Sequence, residues 1–280
     1  TQGSLIRGQL TGATEVLFNN TALALTDDGR FVFGVGRDAP AEHQLVLQRD
    51  GKRHHRTLVF KPRQYAIQHV NGVAQKYVTP PAEVTERIKR DNQKVRQVRA
   101  TLSRLPYIFA TPLMPAQGRI SGVYGSQRVF NGEPRNPHYG LDVAAPVGAS
   151  VIAPLSGTVL LAEDLYYSGL TLIIDHGFGV SSTFMHLSRF SVQTGDKVQQ
   201  GDKIAEVGAT GRVTGPHLHY EFVVDGVHRN PRTVKLPQAT PLQGAEKKVF
   251  TAQATQILNQ LQSNERLLLA KNSGVATAAP

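Results

Sequence analysis

The sequence predicts a mainly β protein with a small N-terminal β-sandwich, a linking helix, a larger antiparallel β domain and a terminal helix. Short apolar runs broken by Gly and Asp recur through most of the 280 residues, as expected of strands joined by tight turns. Two stretches instead carry apolar residues at helical spacing, one before Pro106 and one near the C-terminus. We therefore expect the sandwich over 1–80, the linking helix over 81–106, the β domain over 107–236, and a helix with a tail over 237–280.

The first segment contains two hairpin signals. Asp28-Gly29 and Asp50-Gly51 each lie between runs rich in alternating apolar residues. An Asp-Gly pair in this setting is a strong indication of a tight turn between two strands. Several strands at this spacing predict a sandwich of immunoglobulin type. We find no candidate chemistry in this segment.

Each predicted helix has an apolar stripe. Pro80 and Pro81 suit the first turn of the linking helix, and Pro106 ends it. The stripe is expected to pack against a neighbouring domain; a helix that binds a partner protein is the alternative. In the linking helix the stripe consists of Val84, Ile88, Val95, Val98, Leu102 and Leu105. In the terminal helix it consists of Phe250, Ala254, Ile257, Leu258, Leu261 and Leu268.

Composition limits the classes of function. No run approaches the roughly 18 apolar residues of a membrane span, so none is expected. The absence of cysteine excludes disulfides, thiolate zinc sites and cysteine nucleophiles. A net charge of +10 favours an acidic partner, such as nucleic acid, anionic lipid or a carboxylate-bearing cell-wall polymer. The basic residues are dispersed and lack interleaved aromatic residues, so nucleic acid is not the expected partner.

A set of histidines and one aspartate in the second half of the chain predicts a metal site. Neutral imidazole and carboxylate are the ligands of a hydrolytic zinc that keeps one position open for water. If three of the five residues bind the metal, two histidines remain to act on a substrate. The set comprises His138, Asp142, His186, His217 and His219.

The spacing of these residues restricts their geometry. His217 and His219 are two apart, so a strand directs both to one face, about 7 Å apart. His138 and Asp142 would lie about 13 Å apart on a straight strand, too far to share a metal. The chain is therefore expected to bend at Gly140. Spacing alone does not choose between His217 and His219 as the ligand. The histidines without comparable partners are interpreted as structural: His43, His69, His176 and His228.

These motifs resemble peptidase family M23, the lysostaphin- and LytM-type zinc metalloendopeptidases that cut peptidoglycan cross-links. The similarity covers roughly residues 113–232. The region before it resembles, more weakly, the accessory region of proteobacterial periplasmic members. The similar motifs lie at 125–146, 184–187 and 195–198, at Gly211, and at Gly215-Pro-His-Leu-His-Tyr-Glu-Phe222.

The resemblance implies a LytM-type antiparallel β metallopeptidase domain that binds one Zn²⁺ per chain. It implies that His138, Asp142 and His219 are the metal ligands, and that His186 and His217 are the catalytic histidines. It also implies a periplasmic protein whose export signal has been removed, acting on peptidoglycan stem peptides. The expected bond is the D-alanyl–diaminopimelate cross-link, and a regulatory protein partner is compatible with this function. Some Gram-positive members have a Tyr where this chain has Gly132, so their substrate contacts are not transferred.

Roles for the remaining candidates follow from their chemistry. His217 is expected to take a proton from the attacking water and His186 to stabilise the oxyanion, although the two roles could be exchanged. Arg128 and Arg135 lie just upstream of the first ligand and are candidates to bind a substrate carboxylate. Surface arginines on a loop are the alternative interpretation.

Two other functions compete with an endopeptidase. A non-catalytic LytM-type activator of cell-wall amidases is expected to have lost ligands or catalytic histidines, and here all five positions are filled. A biotinyl or lipoyl carrier is suggested by 153–159 and 198–204, but no lysine at a suitable hairpin tip is found. The sequence therefore favours a zinc-dependent endopeptidase that remodels the cell wall.

Overall fold

Strands dominate the part of the chain that the structure, a computed structural model, describes, which is residues 1–233. The prediction of a mainly β fold is confirmed. The predicted terminal helix over 237–280 lies outside the described residues.

Two small sheets are formed by the N-terminal strands. These are β1 (Leu5–Gln9), β2 (Ala13–Phe18), β3 (Thr21–Ala22), β4 (Arg30–Gly34), β5 (Glu42–Arg49) and β6 (Lys52–Val59). β1 pairs with β4, and the second sheet has the order β3-β2-β5-β6. The turn between β5 and β6 contains Asp50 and Gly51, both at positive φ (52° and 72°), as the Asp-Gly pair predicts. A separate core fills this region: Val16, Phe31, Phe33, Val35, Leu45 and Phe60.

A parallel strand pair connects the first eighty residues with the later region. The next four strands along the chain are β7 (Ile67–Val70), β8 (Arg119–Gly122), β9 (Gln127–Phe130) and β10 (Glu133–Pro134). β9 lies between β7, which is parallel to it, and β10, which is antiparallel. β8 belongs to a different, larger sheet. The segment boundary expected at residue 80 stays a prediction.

The linking region contains a single-turn helix, α1 (Gln75–Val78), and a longer helix, α2 (Thr85–Arg99). A 3-10 turn over Ala82–Val84 precedes α2, and another follows at Pro106–Phe109. The helix is thus shorter than the range 81–106 that the sequence predicts. Residues 100–105 leave the helix, and the Ser103 carbonyl there accepts a hydrogen bond from the backbone N–H of Phe178 at 2.8 Å. In residues 1–233 no helix has the length and apolar character needed to cross a membrane.

The apolar stripe of α2 is used for packing. Val95 and Val98 lie against a small buried cluster of Leu161, Leu165 and Ile173 from the following β region. Burial of such side chains contributes about 1.5–3 kcal/mol each when complete. The helix is therefore held against the larger sheet through part of the predicted stripe, whereas Leu102 lies beyond the helix and is exposed.

A sheet of ten strands forms the larger β region. Besides β8, its strands are β11 (Leu141–Ala144), β12 (Ser150–Ile152), β13 (Gly157–Leu165), β14 (Gly169–Gly177), β15 (Val180–Phe190), β16 (Lys197–Val198), β17 (Lys203–Val207), β18 (His217–Val224) and β19 (Val227–Arg229). The main order is β16-β13-β14-β15-β18-β11-β8; β17 pairs with β12 and β15, and β19 with β18. Each described pair in this sheet is antiparallel.

The register of three adjacent strands brings the predicted site together. β18 lies between β11 and β15. His219 on β18 is opposite Asp142 on β11 and opposite Met185 on β15. His186 follows Met185 directly. The three segments that carry the candidate residues are therefore neighbours in one sheet.

Candidate metal centre

The three predicted ligands converge at one buried point. The Nε2 atom of His138 lies 2.9 Å from Asp142 Oδ1 and 2.9 Å from His219 Nδ1. His219 Nδ1 lies 2.7 Å from Asp142 Oδ1. All three residues are buried, and their donor atoms form a group that could hold a metal ion.

Only glycine fits at position 140, because a side chain there would collide with neighbouring atoms. A Cβ atom on Gly140 would lie 2.6 Å from His219 Nε2 and 2.6 Å from the carbonyl oxygen of Tyr220. The chain bends there before entering β11, and the bend brings His138 back towards Asp142. The bend occurs where the sequence predicts it, and the close approach of the His219 ring explains why a glycine occupies the position.

The hydrogen bonds around the two candidate ligand histidines favour one tautomer of each ring. His138 Nδ1 donates to the Val123 carbonyl at 3.0 Å, and His219 Nε2 donates to Glu221 Oε1 at 3.1 Å. In the neutral state each ring therefore presents an unprotonated nitrogen to the other and to Asp142. Three electron-rich atoms less than 3 Å apart repel one another unless a cation lies between them. The donor set fits a divalent metal.

The electrostatics of the site also favour a cation. Burial opposes the charged form of Asp142, but its contacts with the His138 and His219 rings outweigh burial and hold the pKa of Asp142 well below its usual value. Burial likewise opposes a charged His219, yet hydrogen bonds with Asp142 and Glu221 raise the pKa of His219 to about 9. Burial lowers the pKa of His138. In the absence of a metal, a proton on His219 supplies the positive charge that the carboxylates require.

Glu221 supports the site and was missed from the sequence. Its Oε2 atom accepts a hydrogen bond from Arg99 of α2 at 2.7 Å and lies 3.2 Å from His228 Nε2. His228 therefore contacts Glu221, which is compatible with the structural role expected from the sequence. The sequence did contain a signal for Glu221. His217, His219 and Glu221 occupy alternate positions of one strand, so their side chains share one face of the sheet. A carboxylate that orients a ligand histidine in this way strengthens metal binding.

The two remaining histidines, His186 and His217, lie beside the candidate ligands, and each directs its Nδ1 atom to a backbone carbonyl. His186 Nδ1 donates to the Thr210 carbonyl at 2.9 Å, and His217 Nδ1 donates to the Gly215 carbonyl at 2.9 Å. Their ring centroids are 4.9 Å apart. His186 has a left-handed backbone (φ 63°), a conformation that is costly for this residue type and concentrates at functional sites. Each ring thus keeps Nε2 available for proton transfer.

The two predicted substrate-binding arginines both have protein partners. Arg128 donates to Asp142 Oδ2 at 2.6 Å, so it contacts the oxygen of the carboxylate that points away from the ligand histidines. Arg135 contacts the carboxylate of Glu133 and donates to the Val78 carbonyl at 2.8 Å. Their role in substrate binding stays a prediction.

Two cavities open beside the centre. One, of about 280 Å³, reaches His138, His186 and His219, and residues of α2 form its opposite wall. The other, of about 300 Å³, reaches Asp142 and His217. A His–Asp–His donor set with two imidazoles next to it, open to such cavities, defines the class of metal-dependent hydrolases.

Comparison with known proteins identifies the family. The sequence model of peptidase family M23 matches residues 136–231. The peptidoglycan DD-endopeptidase ShyC of Vibrio cholerae is 45% identical over 133 residues, which are 48% of this chain and 31% of that protein. The peptidoglycan DD-endopeptidase ShyA of the same organism is 28% identical over 94% of this chain and 60% of its own length. Residues 136–231 therefore belong to peptidase family M23.

Further matches agree with this membership. The DD-carboxypeptidase/endopeptidase Mpg of Neisseria meningitidis is 44% identical over 58% of this chain and 36% of its own length. A structure assigned to peptidase M23 from Pseudomonas aeruginosa has a TM-score of 0.65 at 24% identity, covering 83% of this chain and 93% of that one. That likeness shows a shared fold. The chain spans about a third to three fifths of the curated relatives named here.

Proposed function

We propose that the chain is a zinc-dependent endopeptidase that hydrolyses peptide cross-links of peptidoglycan during cell-wall remodelling. The observation that carries the proposal is the convergence of three candidate ligand atoms beside two imidazoles that each direct Nδ1 to a backbone carbonyl. The names of the relatives, which are peptidoglycan endopeptidases, support the substrate. An amidase activator does not need this complete set, and we do not favour it.

The residues that would hold the zinc are His138 through Nε2, Asp142 through Oδ1 and His219 through Nδ1. When bound, Zn²⁺ supplies a Lewis acid that acidifies water and polarises the substrate carbonyl. Val123 and Glu221 hold the two imidazoles in the tautomers that binding requires. Arg128 fixes the other oxygen of Asp142, so the carboxylate has a single orientation.

His217 is assigned as the proton acceptor. Its Nε2 lies 3.8 Å from Asp142 Oδ1, and its side chain is 18% exposed, so it can reach both the attacking water and solvent. The proton accepted at Nε2 is then delivered to the leaving amine. The more buried His186 is assigned to the carbonyl oxygen of the substrate, where the developing negative charge would favour a protonated ring that donates from Nε2.

The substrate and location follow from the proposed activity. The expected bond is the D-alanyl–diaminopimelate cross-link between stem peptides, and we expect the protein to act on it in the periplasm. A positive net charge of +10 suits a polymer rich in carboxylates. The regulatory protein partner considered from the sequence stays a prediction.

Removal of the metal provides the direct test of this function. We expect the chelated, metal-free chain to release no monomeric muropeptides from purified sacculi, and one equivalent of zinc to restore release. Products are identified by mass, and conversion of cross-linked dimers to monomers distinguishes endopeptidase action from trimming of free stems. Digestion that is equally fast in strong chelator contradicts the proposal. So does a chain that digests nothing with zinc but stimulates an added amidase.

Changing Glu221 to Gln is expected to weaken zinc binding about 10- to 100-fold, because the amide no longer offers a charged acceptor to His219. Arg99 also loses its ionic partner, and breaking a buried pair can cost about 3–5 kcal/mol of folding free energy. Competition with a chelator measures the affinity, and thermal unfolding reports the stability separately. The matched control is Glu163→Gln, a half-exposed glutamate that pairs with Lys94 on the surface. Unchanged zinc affinity in Glu221→Gln contradicts its assigned role.

A further inference from the structure

Arg212 occupies the wall shared by the two cavities beside the metal centre. It lies in the loop between β17 and β18, five residues before His217. Its backbone N–H donates to the Tyr167 carbonyl at 2.8 Å, which ties the loop to the turn between β13 and β14. The cavity of about 280 Å³ and the cavity of about 300 Å³ both include Arg212 in their lining. A ligand that fills either cavity therefore meets this side chain.

Two aromatic rings hold the Arg212 guanidinium in place. Its Cζ atom lies 5.0 Å from the ring centroid of Phe130 and 4.7 Å from that of Tyr167. Contact with aromatic faces orients a guanidinium and leaves its N–H edge available for hydrogen bonds. The side chain is therefore positioned before any ligand arrives.

The positive charge of Arg212 lacks a carboxylate partner within residues 1–233, where no Asp or Glu oxygen lies within 4.0 Å of it. The two arginines near it differ in this respect, because Arg128 pairs with Asp142 and Arg135 with Glu133. Burial, together with the charges of Arg128 and Arg135, lowers the pKa of Arg212. An anion placed next to Arg212 would relieve this unfavourable positive potential.

We infer that Arg212 binds a free carboxylate of the substrate next to the bond that is cleaved. A planar guanidinium whose N–H edge is not engaged by a side chain within residues 1–233 matches a carboxylate in a bidentate pair. The substrate class is thus a peptide that carries a carboxylate beside the scissile amide, as a diaminopimelate cross-link does. This inference rests on the proposed endopeptidase function and names the residue that reads the substrate. It shifts carboxylate recognition from Arg128 and Arg135, whose guanidinium groups already have partners, to Arg212.

The test compares two substrates that differ only in the charge of that carboxylate. Cross-linked muropeptides with free diaminopimelate and with its carboxamide are digested by the zinc-loaded wild type and by Arg212→Gln. We expect the wild type to prefer the free acid about 10- to 100-fold in kcat/KM, since charge-assisted hydrogen bonds contribute this much. The Arg212→Gln variant is expected to lose that preference, because cleavage of the free acid falls far more than cleavage of the carboxamide.

Binding provides a second readout that does not depend on turnover. Calorimetry with N-acetylated diaminopimelate, as acid and as carboxamide, should show tighter binding of the acid to the wild type and equal binding of both to Arg212→Gln. The matched control is Arg189→Gln, an exposed arginine of β15 outside both cavities, which should keep the wild-type preference. Zinc content is measured for each variant.

The outcomes separate this inference from the proposed function. A wild type that cleaves neither substrate contradicts the endopeptidase function itself. A wild type that cleaves acid and carboxamide equally well, or an Arg212→Gln variant that keeps the full preference, overturns the inference and leaves the function standing. If Arg212→Gln does not fold, Arg212→Lys replaces it; this variant keeps the charge but not the bidentate geometry, and it should reduce the preference without abolishing it.

Discussion

The His217→Ala variant is expected to bind zinc with unchanged stoichiometry and to cleave cross-linked muropeptides at least about 100-fold more slowly. General acid–base catalysis by one positioned side chain contributes about 10²- to 10⁴-fold. His217 lies next to the ligands, and its Nδ1 is held by the Gly215 carbonyl, so its loss removes a proton acceptor and leaves the donor set intact. Zinc content by elemental analysis and the rate of dimer cleavage by mass measure the two effects separately.

The control for this experiment is His54→Ala, an exposed histidine of β6 in the N-terminal region. It should retain both zinc and activity. Loss of zinc in His217→Ala would make His217 a ligand, in conflict with the geometry of the centre. An unchanged cleavage rate would exclude His217 as the proton acceptor and would transfer that role to His186, whose Nδ1 is likewise held by a backbone carbonyl.

The choice between His217 and His219 illustrates what local sequence could predict. A period of two places both histidines on one face of β18, and this follows from strand geometry alone. Which of them meets Asp142 depends on the register of β18 against β11. In the structure Asp142 is opposite His219, and His217 is opposite Ala144. Register is decided by pairing across 77 residues of chain, so local spacing leaves the choice open and the family resemblance is needed to assign the ligand.

Local patterns predicted some parts of the fold, whereas contacts between distant segments of the chain were harder to predict. The tight turn at Asp50-Gly51 and the apolar stripe of α2 are local patterns, and the structure agrees with both. The parallel pairing of β7 with β9 joins segments sixty residues apart and has no local signature. Arg99 likewise reaches Glu221 across 122 residues. The contacts that complete the site come from the packing of α2 against the sheet.

The arginines show how burial and pairing change an interpretation drawn from position alone. Arg128 and Arg135 lie close to the first ligand in sequence, which made them candidates for substrate binding. The structure gives each a carboxylate partner. Arg212 is separated from His138 by more than seventy residues, yet it reaches the same cavity. For Arg212, the available sequence signal was its position in the loop that leads to His217.

The Asp142→Asn variant is expected to lose zinc affinity at least about 100-fold and, with it, hydrolysis at stoichiometric zinc. Loss of a carboxylate that merely orients a ligand costs about 10- to 100-fold in affinity, and Asp142 supplies a ligand atom itself. The amide keeps the volume of the side chain but removes the negative charge that His138, His219 and Arg128 all face. Titration of the metal-free chain with zinc, in competition with a chelator, measures the affinity.

Excess zinc separates this variant from His217→Ala. Because Asp142→Asn weakens binding, saturating zinc should restore part of its activity, whereas His217→Ala should gain nothing from added metal. The matched control is Asp164→Asn, an exposed aspartate that pairs with Arg87 on the surface and should bind zinc as the wild type does. An Asp142→Asn variant that binds one zinc with wild-type affinity would show that the metal lies elsewhere. The His–Asp–His centre could not then be the hydrolytic site.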